Sequence, residues 1–514
     1  MLINKVKDIK TRKIILIILI MILFGLRLWK LVHFSVLEED EGRDLLVSRH
    51  IIKFGEHLLL GHNMSGINGL FYGPYYYYLL AFVTSLFDNA RFIFLSVALL
   101  QTIGGYFIYK IGYRLFNYES GIFSLVIYTS SFAMLDATNL YSPYVSLFFF
   151  IFSLFYFCEY IKTRKRLLFF GHVFLLIFSV NINSSVIFTL PAFIIWLLVE
   201  FFHEKKCLFH KMFSHLLVYF IISVIFLIPQ LFYYRERFFN ILFNDLEGMG
   251  LSLSDYLTNI GNLLNTTNYA IFPRDKIAIV LLFLSLIGLF RAKQYYDKLF
   301  IFATSIVTTV LIAAIIGHRV YSIHLLPLYI FIYLFLGAML SIGFRTLGYL
   351  KWVILILISL GLWTNTVLFL TKTYNSLSEV ESASVAISKK ISPLINNQAF
   401  KTDQIYLLEN SNIKEFSFFP APEFWYFVEK ITNNKLVTIL PEQEFQLKTP
   451  EIDYLKSKKN VFLICRQYRL DQNWQVGCKD RFDTDYGDIF KLQNIIYQSN
   501  YIDVIQYERI PNPN

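Results

Sequence analysis

Residues 35–50 read SVLEEDEGRDLLVSRH. Four consecutive acids, Glu38, Glu39, Asp40 and Glu41, come directly before Gly42, Arg43 and Asp44 and directly after an apolar run. A positioned carboxylate can take the proton of a hydroxyl group, which is general base chemistry. A guanidinium donates in a planar fork that fits phosphates and carboxylates alike. Asp40 and Arg43 stand three apart, so a helix places them on one face. The same residues would also make a plain helix start, with acids complementing the N-terminal dipole. Further on, Asp136 closes an apolar run in MLDATNLYSPYVS, and His318, Arg319 and His324 gather in GHRVYSIHLLPLY. Their ordinary alternatives are a helix cap for Asp136 and interfacial anchors for the three basic residues.

What must position these groups is a membrane bundle. Of 514 residues, 56% are hydrophobic and 16% charged, and the mean hydropathy is +0.51. A soluble globular protein has about 25% charged residues; so greasy a chain needs lipid around most of it. The net charge of +10 does not indicate nucleic acid, because Lys and Arg punctuate the gaps between apolar runs, as membrane topology requires. The four cysteines show neither metal-ligand spacing nor a disulfide framework. The first run, from Ile14 to His33, has no small-residue cleavage site and is expected to be a retained helix.

Apolar runs at 14–33, 91–109, 120–135, 143–161, 167–181, 185–201, 213–234, 277–290, 298–316, 322–342 and 350–371 predict about eleven transmembrane helices. Lys5, Lys7, Lys10, Arg12 and Lys13 precede the first and place the N-terminus in the cytoplasm. With eleven spans the later basic loops, from Lys110 and Arg114 to Arg345 and Lys351, all fall on that same side. This count requires the tyrosine-rich segment 74–87 to lie at the headgroup level without crossing. Loops 34–90 and 235–276, the turn 318–321 and the tail 372–514 are then extracytoplasmic. The tail is polar, with β-rich runs at Gln404–Leu408, Lys435–Leu440, Asn460–Cys465 and Tyr501–Ile510, and is expected to be a small soluble α/β domain. Cys465 and Cys478 in that tail are a candidate disulfide pair in an oxidising compartment; Cys158 and Cys207 are expected to stay reduced. The expected architecture is an α-helical polytopic membrane domain over 1–371, with outer loop 34–90, followed by the tail domain over 372–514.

The order of motifs resembles a known family. An apolar first span, Asp40-Glu41-Gly42-Arg43, a glycine-punctuated loop, Gly73-Pro74-Tyr75-Tyr76-Tyr77, the outer Asp136 and the late GHRVYSIHLLPLY are together similar to the GT-C membrane glycosyltransferases. The similarity is greatest to the branch of the protein O-mannosyltransferases and the lipid A aminoarabinose transferases, and it spans about residues 14–371. The resemblance implies inverting transfer of a sugar from a polyprenyl-phosphate donor to an acceptor lipid, protein or glycan at the outer face of a cell-envelope membrane. It implies Asp40 as base, Glu41 as supporting acid, and Arg43, Tyr72, Asp136, His318, Arg319 and His324 as substrate-binding positions.

One departure stands out. The aminoarabinose transferases carry Glu-Lys-Pro, with the Glu in a metal site, where this chain reads Tyr72-Gly73-Pro74. No cofactor is therefore assigned, and His57 and His62 do not by themselves restore a divalent metal site. Two other readings share part of the pattern. A lipid-linked sugar transporter or flippase would place ionisable residues mid-membrane or show paired repeats, whereas a polysaccharide polymerase or ligase would use the same donor. Neither the sugar nor the acceptor is legible in the sequence.

Overall fold

The computed structural model describes residues 9–33, 37, 39–62, 71–136, 140–204, 208–235, 253–271, 296–316, 322–346, 366–367, 370–371, 376–396, 406–410, 416–418, 422–433, 460–466, 482–483, 487–498 and 502–511. Its helices are α1 (Ile9–His33), α2 (Glu39–Phe54), α3 (Tyr75–Leu86), α4 (Ala90–Leu115), α5 (Tyr118–Ser130), α6 (Phe132–Asp136), α7 (Ser142–Thr163), α8 (Arg166–Ile182), α9 (Leu190–Glu204), α10 (Leu208–Tyr234), α11 (Leu253–Ile271), α12 (Tyr296–Ile316) and α13 (Leu326–Thr346). Short 3-10 turns at Ser184–Thr189 and Ser322–Leu325 lead into α9 and α13. The tail carries α14 (Ser376–Asn396), β1 (Tyr406–Asn410), β2 (Phe416–Phe418), α15 (Pro422–Thr432), β3 (Asn460–Arg466), β4 (Phe490–Gln498) and β5 (Ile502–Arg509).

Nine of the eleven predicted spans coincide with described helices; 277–290 and most of 350–371 lie outside the described residues. Among the described residues, five helical segments are long and apolar enough to cross a membrane: Lys10–His33, Ala90–Leu115, Ser142–Thr163, Phe213–Tyr234 and Leu326–Arg345. The tyrosine-rich helix α3 has 12 residues. At 1.5 Å each it reaches about 18 Å, too short for a core of about 30 Å.

The chain forms two compact units: Met1–Val32, Leu59–Tyr76 and Arg91–Thr373 make one, and His33–Leu58, Tyr77–Ala90 and Tyr374–Asn514 the other. In the first, helix ends are set by local chemistry. Asn117 caps α5 by accepting from the Ser120 amide at 2.9 Å, and Pro143 sits in the first turn of α7, where a missing N–H costs nothing. Buried polar pairs join helices where lipid offers no hydrophobic drive. The Ser146 hydroxyl donates to the Ser179 carbonyl at 3.0 Å, and the Ser179 hydroxyl donates back to the Ser146 carbonyl at 2.7 Å. His172 bonds Ser153 at 2.8 Å and Tyr219 at 2.6 Å, tying α7, α8 and α10. Helices α5 and α13 cross so closely that a Cβ at Gly337 would stand 2.7 Å from the Ser124 amide nitrogen and 2.1 Å from its hydroxyl.

The basic ends converge. Lys298 donates to the Leu115 carbonyl at 2.7 Å, Arg345 pairs with Glu119, Arg114 with Glu159, and the Arg12 guanidinium lies 4.7 Å from the Tyr118 ring centre. They mark one end of the bundle. Fifteen residues along α1, about 22 Å away, Arg27 donates to the Met134 carbonyl at 3.0 Å near the opposite end.

In the second unit the five described strands form a mixed sheet in the order β2-β1-β3-β5-β4, with β1 parallel to β3 and the other pairs antiparallel. The parallel pair requires a crossover, and the connection from β2 to β3 contains α15. Val461, Leu463, Phe482, Phe490, Ile505 and Tyr507 form the core of one face. Of the predicted tail strands, three match β1, β3 and β5, and 435–440 lies outside the described residues. β2 and β4 have no counterpart in the sequence reading. Along β4 only Phe490 is buried, so FKLQNIIYQ never shows the clean alternation of a half-buried strand.

Candidate active site

Helix α2 belongs to the second unit, together with the tail. It starts at Glu39, so that Glu39, Asp40 and Glu41 fall in its first turn, where acidic side chains favour a helix. Its first two turns form a clamp. The Arg43 Nη1 donates to Asp40 Oδ1 at 2.7 Å, while Nη2 and Nε donate to Asp44 Oδ1 at 3.0 and 3.2 Å. Arg43 also hydrogen-bonds Tyr77 of α3. The two carboxylates are not equivalent: the Asp44 side chain is 2% exposed and that of Asp40 46%. Asp44 is the buried anchor, and Asp40 is the accessible carboxylate.

Burial disfavours the Arg43 cation, yet Tyr77, Asp44 and Asp40 together hold its pKa well above the usual arginine value. Tyr77 moves up as well, first because it is buried and then because of the two acids, with Arg43 opposing. A fixed cation beside a neutral phenol results. The trio of Asp40, Arg43 and Asp44 still carries a net negative charge, so Arg43 orients Asp40 without cancelling it. Glu41, next in sequence, is 6% exposed and turned inward.

The rest of α2 is locked by residues that the sequence reading did not single out. His50 bonds Glu429 of α15 at 2.7 Å and Glu56 at 3.3 Å, and Arg49 pairs with Asp88. Ser48 and Thr84 bond at 3.0 Å. His50 and Glu429 are 379 positions apart and fully buried; nothing local in either segment announces the pair.

The first unit gathers other sequence-predicted positions. Tyr72 is 2% exposed. Its hydroxyl accepts from the Ser184 amide at 2.9 Å and bonds the Ser184 hydroxyl at 2.7 Å. Burial raises its pKa, with the two Ser184 bonds opposing. Its ring lies 4.5 Å from that of His62, whose Nε2 bonds the Ser142 hydroxyl at 3.1 Å. Paired backbone bonds between Gly61 and Tyr72 and between Tyr72 and His62, at 2.8 and 2.9 Å, close this loop. A Cβ at Gly61 would come 2.5 Å from the Gly73 carbonyl oxygen, so glycine is needed there.

Helix α11 packs both on α6, which ends in Asp136, and on the turn Ser322–Leu325 that carries His324. Asp136 and His324 therefore come to one end of the bundle, and His324 is 8% exposed. Arg27, fully buried, reaches the same end through Met134, and its Nε and Nη1 have no partner among the described residues. A charge inside an apolar span was the signal that could have singled it out. His318 and Arg319 lie outside the described residues, as do Cys207 and Cys478; Cys158 is a free, buried thiol.

Among the described residues no three His, Cys, Asp or Glu side chains lie together at metal-binding range. At the place where the resemblance would put a metal-binding Glu, this chain has a phenol already committed to Ser184. The residues there do not fit a divalent ion.

Comparison with known proteins agrees with this architecture. A family model described as dolichyl-phosphate-mannose-protein mannosyltransferase matches residues 72–233. The chain is similar to the solved structure of ArnT from Cupriavidus metallidurans bound to undecaprenyl phosphate, with TM-score 0.63 and 10% identity over 96% of this chain and 97% of that one. For the apo state of ArnT the TM-score is 0.58 and the identity 11%, over 92% and 94% of the two chains. The archaeal oligosaccharyltransferase AglB from Archaeoglobus fulgidus, in complex with an inhibitory peptide and a dolichol-phosphate, follows with TM-score 0.50 and 12% identity over 88% of this chain and 69% of that one. No curated protein matches. The chain is a multi-pass membrane protein with the fold of the ArnT structures, and its residues 72–233 match the dolichyl-phosphate-mannose-protein mannosyltransferase model.

Proposed function

We propose that this protein is an inverting glycosyltransferase that moves a sugar from a polyprenyl-phosphate donor to an acceptor hydroxyl at the outer face of the membrane. The clamp on α2 is the observation that carries the reading. Asp40 is accessible, negatively charged and held in one orientation by a guanidinium anchored on its far side. A general base needs these properties. In the reaction Asp40 takes the acceptor proton, the acceptor oxygen bonds to the anomeric carbon, and the bond from that carbon to the phosphate oxygen breaks. Polyprenyl phosphate leaves with the electron pair, and the anomeric centre inverts.

Arg43 positions Asp40; most of its five N–H groups are engaged by Asp40, Asp44 and Tyr77, which leaves it a poor partner for the donor phosphate. That role we give to Arg319, flanked by His318 and His324, on sequence grounds, because phosphate charge growing in the transition state calls for fixed cations. Asp136 is proposed to contact the sugar, Glu41 to support the helix that carries Asp40, and Tyr72 to shape the site wall through its bonds to Ser184. The N-terminus is placed in the cytoplasm and the tail outside by the basic loops, with 372–514 as an extracytoplasmic domain. The structurally similar ArnT and AglB are solved with undecaprenyl phosphate and a dolichol-phosphate bound, which supports the choice of lipid phosphate. The test is to incubate purified protein with a panel of polyprenyl-phosphate sugars and candidate lipid, peptide and glycan acceptors, and to identify products by mass spectrometry. Transfer that survives intact in Asp40→Asn would remove the base assignment.

A further inference from the structure

At the basic end of the bundle, some 22 Å along α1 from Arg27, a cavity of about 310 Å³ is lined by cations from four helices: Arg12 of α1, Arg114 of α4, Lys162 of α7 and Arg345 of α13. That volume is at the lower edge of ordinary ligand pockets. Arg114 is paired with Glu159 and Arg345 with Glu119, and the lining itself holds four cations and one acid, Glu119. A helix start there also favours an anion. The cavity includes Asn117 and Tyr118, the cap and first residue of α5, and thus the positive end of that helix. Asn117 uses its side-chain oxygen to accept from Ser120 and Ser341, while its buried Nδ2 has no partner among the described residues.

The surface leading away from the cavity indicates what kind of anion. Tyr113 lines it, and Tyr113, Tyr106, Ile103 and Leu99 are exposed along one face of α4. The Tyr109 ring stacks on Tyr113 at 6.0 Å. From Tyr113 to Leu99 the stripe covers about 21 Å of helix, more than the roughly 15 Å half-thickness of a bilayer core. A soluble phosphate has no use for such a track; an acyl chain has.

We propose that the cavity binds the headgroup phosphate of an acidic phospholipid from the leaflet at the basic end, with an acyl chain along the α4 stripe, and that this lipid ties together the ends of α1, α4, α7 and α13. The site is separate from the sugar-transfer chemistry and does not depend on it. Each cation near a membrane surface contributes about 1 kcal/mol toward an acidic lipid, which is about fivefold in affinity.

The test uses the full chain, delipidated in neutral detergent, with lipid binding read by native mass spectrometry and thermal stability followed in parallel. Phosphatidylglycerol should be retained and should raise the unfolding temperature, and phosphatidylcholine should do neither. Lys162→Gln, at an exposed position, should weaken phosphatidylglycerol binding about fivefold, and Arg12→Gln with Lys162→Gln about 25-fold. Lys390→Gln, exposed on α14, should change nothing. Equal retention of the two lipids, or undiminished phosphatidylglycerol binding in Lys162→Gln, overturns the proposal. Stabilisation by inorganic phosphate alone, equal to that by phosphatidylglycerol, overturns the lipid assignment in favour of a soluble anion.

Discussion

Asp40 and Asp44 share one arginine, and their substitution should separate chemistry from folding. The Asp40 side chain is 46% exposed and that of Arg43 20%, so their ion pair resembles exposed pairs, worth about 0.2–1 kcal/mol. Asp40→Asn keeps the shape and the bond-accepting oxygen. It should lower the unfolding free energy by no more than about 1 kcal/mol, while transfer falls by about 10²–10⁴, the usual contribution of a general base. Asp44→Asn acts differently. Its carboxylate is 2% exposed and accepts both Nη2 and Nε of Arg43. Neutralising it leaves a largely buried cation short of its anchor, a change that typically costs about 3–5 kcal/mol. Thermal unfolding in detergent should report that loss, with activity falling in proportion to the folded fraction and to the freed motion of Arg43. The assay is single-turnover transfer of labelled sugar at saturating donor, alongside unfolding curves for both variants. Near-normal turnover in Asp40→Asn would refute the base assignment and pass the role to Asp136 or Glu41. An Asp44→Asn protein as stable as the parent would refute the anchor argument.

Three further outcomes are expected. Glu429→Gln weakens the buried bond to His50 and should destabilise the second unit by about 1.5–3 kcal/mol, read as earlier deuterium uptake in residues 422–432 and 44–54; unchanged uptake would argue against α15 as the support of α2. Gly337→Ala forces a methyl into the α5–α13 crossing against the Ser124 backbone, and a loss of about 1–3 kcal/mol in thermal stability is expected, whereas a neutral result would mean that the crossing opens freely. Arg319→Ala should weaken both donor affinity and turnover, and Arg319→Lys less so because it keeps the charge but loses the fork; donor titration that is the same in all three proteins would place the phosphate elsewhere, with Arg27 the first residue to test.

The membrane architecture was legible in the one-dimensional pattern because the bilayer imposes a local rule. A span must be apolar over its whole length and must satisfy its own backbone, so each helix is written in its own 20 residues. The short, tyrosine-rich α3 and the three tail strands with β-branched and aromatic runs were readable for the same reason. The first acid motif could also be read, as a dense cluster at a fixed distance from a span. Which of its members does what could not. Asp40 and Asp44 are the same residue type four positions apart, and only packing makes one accessible and the other an anchor. Only the fold brings Ser184, 112 positions away, against the Tyr72 hydroxyl. His50 and Glu429 meet across most of the chain, and the basic cavity draws one cation from each of four helices. Such pairs carry no periodicity and no spacing, because what selects them is the cost of burying a polar group without a partner, and that partner arrives only when distant segments pack together.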